Sequence, residues 1–99
     1  MIGSRFHPEA ERELSEVALW YEERRPQLGD RFAVEVDRVL GHVRAAPQGG
    51  TRWRQGPART WRLRRFPFVV AYVVESDEVV IVAIAHTKRR PGYWQSRIA

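Results

Sequence analysis

The sequence predicts an α+β fold of two layers. A short N-terminal strand precedes an antiparallel two-helix hairpin, which packs on a mainly antiparallel sheet ending in a three-stranded meander and a short helical tail. Three observations predict it. Apolar residues repeat at helical spacing through residues 8–46. The pattern then changes to alternation and to valine-rich runs between residues 60 and 85. Turn-forming clusters, "PQGG" and "SDE", separate these segments.

Arg5–His7 is a short extended segment. Pro8 suits the first turn of a helix, where the N–H that proline lacks would have no partner. Glu9, Glu11 and Glu13 follow, where the positive end of the helix dipole favours acids. Ala10, Leu14, Val17, Ala18 and Tyr21 form one apolar face. The helix ends near Arg25, because Pro26 disfavours helix before it. A second helix begins at Leu28–Asp30, with Leu28, Phe32, Val36, Val39, Leu40 and Val43 on one face, and stops by Ala46. The short link makes the two helices an antiparallel hairpin.

Residues 47–58, "PQGGTRWRQGPA", read as a basic loop. In "TWRLRRF" (60–66), Trp61, Leu63 and Arg65 fall on one side and Arg62 and Arg64 on the other. Phe68–Glu75 and Val79–Ala85 are almost wholly apolar, which places them in the middle of the sheet. The helical hairpin is expected to cover one sheet face. The opposite face is expected to carry arginines.

At 99 residues the chain is expected to form one domain, residues 1–99. Its 43% hydrophobic and 29% charged residues are typical of a globular protein. No run approaches the roughly 18 apolar residues of a membrane span, and the N-terminus lacks the apolar core of a signal peptide. No membrane partner is expected, and the cytoplasm is the expected location. Without cysteine, disulfides and thiolate chemistry are excluded. The net charge of +5 points to an anionic partner. Lys88 is the single lysine among 17 basic residues, and guanidinium groups favour planar, bidentate recognition of phosphate or carboxylate. Acids concentrate in residues 9–37. Residues 44–65 hold Arg44, Arg52, Arg54, Arg59, Arg62, Arg64 and Arg65 and no acid.

His7, His42 and His86 are too widely spaced for a metal-binding motif, and no phosphate loop is present, so no cofactor and no metal are expected. The remaining chemistry lies in Arg62 and Arg64 on a strand, and in His86, Lys88, Arg89, Arg90 and Tyr93 just past another. Such groups bind phosphate, stabilise a pentavalent transition state and exchange a proton. That set suits RNA cleavage through the 2′-hydroxyl, although residue types alone favour a binding face without catalysis. Trp61 reads as core. Trp53, in a polar loop, is the better candidate for a contact, and Tyr93 and Trp94 beside arginines can stack on bases or anchor an interface.

The segments "FHPEAERELSEVALWY" (6–21), "LGDRFAVEVDRVLGHVRAAP" (28–47) and "RRFPFVVAYVVESDEVVIVAIAHTKRRPGYW" (64–94) together resemble the RelE/ParE superfamily of type II toxin–antitoxin toxins, including plasmid stabilisation proteins. The last segment carries most of the specificity. The resemblance implies the two-layer fold, growth inhibition, and a cognate antitoxin, ParD-like or similar, through which alone operator DNA would be met. RelE-like members are ribosome-dependent mRNA endonucleases, whereas ParE-like members poison DNA gyrase. The nuclease pattern is matched by Arg62, Arg89 and, at shorter spacing, Tyr93, with His86 a further candidate. Its central arginine falls at Val69, which cannot bind phosphate. Losing one preorganised donor costs about 100- to 1,000-fold in rate. The resemblance therefore implies a ParE-like gyrase inhibitor rather than an enzyme, with an mRNA endonuclease or an inactive antitoxin-binding relative as alternatives. In that reading Arg62, Arg64, Arg65, His86, Lys88, Arg89, Arg90, Tyr93 and Trp94 bind target or antitoxin.

Overall fold

The computed structural model describes residues 2–98; Met1 and Ala99, the ends of the expected domain, lie outside the described residues. The elements are β1 (Gly3–Phe6), α1 (Pro8–Arg24), α2 (Leu28–Ala45), β2 (Thr51–Arg52), β3 (Arg59–Arg62), β4 (Phe68–Glu75), β5 (Glu78–His86) and a 3-10 turn at Gln95–Arg97. They form one five-stranded sheet in the order β1-β5-β4-β3-β2.

The expected meander is β3–β4–β5, antiparallel throughout. β1 joins the β5 edge in parallel, with Gly3 opposite Glu78 and Phe6 opposite Ile81. β2 was not expected. It lies inside the basic loop and pairs with β3 through Thr51–Thr60 and Arg52–Arg59. The Trp53 N–H donates to the Ala58 carbonyl at 2.9 Å and closes this hairpin. Two residues are too few to show the alternation by which a strand is read.

Both helices are capped from outside their own sequence span. The His7 Nδ1 accepts from the Glu9 N–H at 3.1 Å and caps α1. At the start of α2, Gln27 is left-handed (φ 75°) and its side chain makes no cap. Glu22 of α1 supplies one: its two carboxylate oxygens accept from the Gln27 and Gly29 N–H groups at 2.9 and 3.0 Å. Gly29 sits so close to α1 that a Cβ there would run into the Ala18 carbonyl oxygen.

The first core lies between helices and sheet. Phe32, Val36, Val39 and Val43 of α2 meet Val70, Tyr72, Val79, Ile81 and Ile84 of the sheet. Tyr21, Phe66 and Phe68 surround Phe32 with ring centroids 5.2–5.5 Å away. Trp61 is partly buried against this core, as expected, and stacks on His42.

The opposite face differs from expectation. It is a second core of Ala71, Val73, Val80, Val82, Ala83 and Ala85, not an arginine surface. The chain beyond β5 folds back and covers it with Tyr93, Trp94 and Ile98, while Trp53 closes the side. Its small alanines share the cluster with the buried Trp94 indole. Strand β3 also stops at Arg62, earlier than the alternation implied. Arg65 leaves the sheet as an exposed left-handed turn residue (φ 67°). Among the described residues no helix is long and apolar enough to cross a membrane.

Candidate functional site

Most of the residues singled out from the sequence fall on two surfaces, one on each side of the sheet. Arg64 and Arg65 border a groove on the helical side. The turn after β3 brings them against α2, where the Arg64 backbone N–H donates to Glu35. Glu35 also accepts two hydrogen bonds of 2.7 Å from Arg38. The Arg38 bonds hold the Glu35 carboxyl below the usual carboxylate range; the Arg64 amide adds to this, and burial opposes it. The groove has a volume of about 810 Å³. Tyr21, Leu28, Val34 and Phe66 give it an apolar lining, and Arg31, Arg38, Arg64 and Arg65 make it cationic. Val34 is 69% exposed. Asp30 and Glu35 are its acids, and Glu35 is already paired. Such a groove suits an acidic, amphipathic segment.

The second surface is a cleft of about 210 Å³ on the far face, lined among others by Trp53, Val69, Ala85, His86, Arg89, Arg90 and Tyr93. Gly92 (φ 75°) lets the tail approach Trp53; a Cβ there would lie 2.6 Å from the indole. Trp53 in turn packs on Trp94 with centroids 5.0 Å apart. Arg89 lies over the Tyr93 ring at 3.6 Å, a cation–π contact. His86 packs edge-on against Phe68, and its Nδ1 accepts from the Lys88 N–H at 3.0 Å, which shapes the turn after β5.

Val69 lines this cleft beside Arg89 and Tyr93, so the apolar residue stands where the nuclease pattern needs an arginine. Arg62 pairs with Val69 across β3 and β4 but does not line the cleft. Lys88 is exposed and also outside it. Trp94 corrects the sequence reading. At 3% exposed it plugs the second core and offers little contact surface.

Two residues that sequence reasoning passed over hold the cleft in place. β1 ends opposite Ile81, and two backbone groups of β5 beyond it are met by side chains instead of a strand. The Ile84 N–H donates to Glu13 Oε1 at 3.0 Å. The Val82 carbonyl accepts from Arg97 at 2.9 Å. Glu13 and Arg97 then bind each other through two hydrogen bonds of 3.0 Å. The Tyr93 hydroxyl donates to Glu13 Oε2 at 2.7 Å, and an Arg89 nitrogen lies 3.7 Å from the same oxygen. Burial first, and then this bond to a carboxylate, push the Tyr93 phenol far above its ordinary range. It therefore stays a neutral donor committed to Glu13, which is unsuited to proton transfer at neutral pH. Nothing in the spacing distinguishes Glu13 from Glu9 and Glu11; only the topology does. Among the described residues no group of three or more His, Asp or Glu side chains is placed to hold a metal ion.

No curated protein matches the chain. Among solved structures, a chain of the chromosomal ParDE toxin–antitoxin system from P. aeruginosa has a similar fold. The TM-score is 0.75 at 21% identity, covering 87% of this chain and 96% of that one. The family model for the ParE toxin of the type II toxin–antitoxin system parDE matches residues 5–91. That span takes in both helices, β2 to β5, the second half of β1 and the turn that carries Arg89 and Arg90. The chain belongs to the ParE toxin family of type II toxin–antitoxin systems.

Proposed function

We propose that the chain acts in the cytoplasm as an inhibitor of DNA gyrase, and that an acidic antitoxin segment seated in the α2 groove neutralises it. The observation that carries the choice of gyrase over mRNA is the composition of the far-face cleft. Its Arg89 and Tyr93 match a nuclease, but Val69 supplies neither charge nor hydrogen bond and the Tyr93 hydroxyl is engaged by Glu13. Positive charge and aromatic surface remain, which suit recognition without bond cleavage. The antitoxin assignment rests on complementarity. Exposed Val34 and partly buried Phe66 offer anchors, and Arg31, Arg64 and Arg65 would pair with carboxylates.

Purified protein added to gyrase should abolish supercoiling or trap cleaved DNA, and a peptide of the antitoxin's acidic segment should reverse this. Substituting Val34→Asp should weaken that peptide at least tenfold and leave gyrase inhibition in place. Unaffected supercoiling, together with translation-dependent mRNA cuts lost in Arg89→Ala, would establish the endonuclease reading instead. Harmless overexpression without antitoxin would mark an inactive relative.

A further inference from the structure

We infer that Glu13 is the positioning residue of the target-recognition surface. It clamps the C-terminal strap, residues 89–97, onto the sheet. This inference rests on the proposal that the far-face cleft meets the target.

β1 is only four residues long and leaves the following part of β5 paired with β4 alone, with no strand on the other edge. A bare edge there would leave the Ile84 N–H and the Val82 carbonyl without protein partners. Glu13 satisfies the first and Arg97 the second, each while bonded to the other. The carboxylate is 12% exposed and the guanidinium 14%, so water does little to screen the pair. Glu13 accepts from three donors on two segments: the β5 backbone at Ile84, and the Tyr93 hydroxyl and Arg97 guanidinium of the strap. Tyr93 and Arg89 belong to the cleft wall. One carboxylate on α1 therefore fixes groups of the opposite sheet face.

Removal of its charge leaves Arg97 nearly buried and without a counter-ion. That state is costly, and swinging the strap into water relieves it. The swing takes Tyr93 and Trp94 off the second core and dismantles the cleft. The α2 groove shares none of these residues, so it survives.

The test is Glu13→Gln, which keeps the side chain's size and one acceptor but loses the charge. Hydrogen exchange of the amides of residues 93–98 should speed up at least tenfold. Acrylamide quenching should reach a tryptophan that is protected in the native protein. Gyrase inhibition should weaken at least tenfold, while antitoxin-peptide affinity stays within about threefold. Arg97→Gln, which breaks the pair from the other side, should do the same and covers the case in which Glu13→Gln does not fold. Arg97→Lys should retain part of the activity. Glu11→Gln, the same charge change at an exposed site on α1, should alter nothing. A strap that exchanges at the native rate in both pair-breaking variants overturns the inference. So does a loosened strap with undiminished gyrase inhibition. If the native protein leaves gyrase untouched, the functional proposal fails alone, and the exchange rates still decide whether Glu13 holds the strap.

Discussion

Glu35 grips Arg38 one turn along α2 with two parallel hydrogen bonds of 2.7 Å, and the same carboxylate receives the backbone N–H of Arg64 from the turn after β3. One wall of the groove is thus set by an ion pair. The carboxyl ionises at lower pH in the folded chain than in the unfolded one. The unfolded chain therefore takes up the proton first as pH falls. The stabilisation is complete above the ordinary carboxylate range, about pH 4 to 4.5, and disappears as pH falls through the lower folded value. Glu35→Gln should lower stability at pH 7 and flatten the loss of stability below pH 5. Urea midpoints measured from pH 3 to 7 check both effects.

Tyrosine ionisation gives the opposite sign. Burial raises the phenols of Tyr21, Tyr72 and Tyr93, and the Glu13 bond raises Tyr93 furthest. The folded chain keeps these protons at pH values where the unfolded chain releases them. Stability should be fully present below about pH 10, the ordinary phenol value, and fall as pH rises beyond it. Absorbance at 295 nm should show little tyrosinate until the protein unfolds, and the two transitions should coincide.

Tyr72 ties the basic loop to the sheet. Its hydroxyl donates to the Pro47 carbonyl at 2.7 Å and accepts from the Gly50 N–H at 3.1 Å. Tyr72→Phe leaves the buried amide of Gly50 without that partner. The expected loss is about 1–3 kcal/mol, read as a lower urea midpoint with an unchanged slope.

Two glycines of α2 should respond in opposite directions to the same substitution. Alanine favours helix over glycine by about 1 kcal/mol. At Gly41 an added Cβ meets nothing within 4 Å, so Gly41→Ala should stabilise by up to that amount. At Gly29 it meets the Ala18 backbone and the Glu22 side chain that caps the helix. Gly29→Ala should destabilise by roughly 1–3 kcal/mol, because backbone cannot move aside as a side chain can. Thermal melts of both variants test the pair.

The helices and the inner strands were legible because their signals are local. Pro8 and Pro26 bracket α1, and the apolar repeat of Phe32, Val36, Val39 and Val43 marks the buried stripe of α2. The valine runs located β4 and β5 for the same reason. What stayed hidden depends on distant segments meeting. β2 is read only once Trp53 is seen bonded to Ala58. The second core is read only once Trp94 is seen in one cluster with Ala71 and Ala83. A charge pattern cannot show that Arg64 and Arg89 border different surfaces, because strand ends direct the chain to both sides of the sheet. Glu13 and Arg97 are 84 positions apart, and no periodicity links them.

The parallel pairing of β1 with β5 also sets a schedule for manufacture. Gly3 is made before its partner strand, and its place beside Glu78 does not exist until the hairpin that ends at His86 has been made. At about 5–20 residues per second β1 waits roughly 4 to 17 s for its neighbour. Long-range closure of this kind also slows folding itself. β1 is consequently ordered only after the later β5, and a translating polysome carries nascent chains in which the far-face cleft has yet to form.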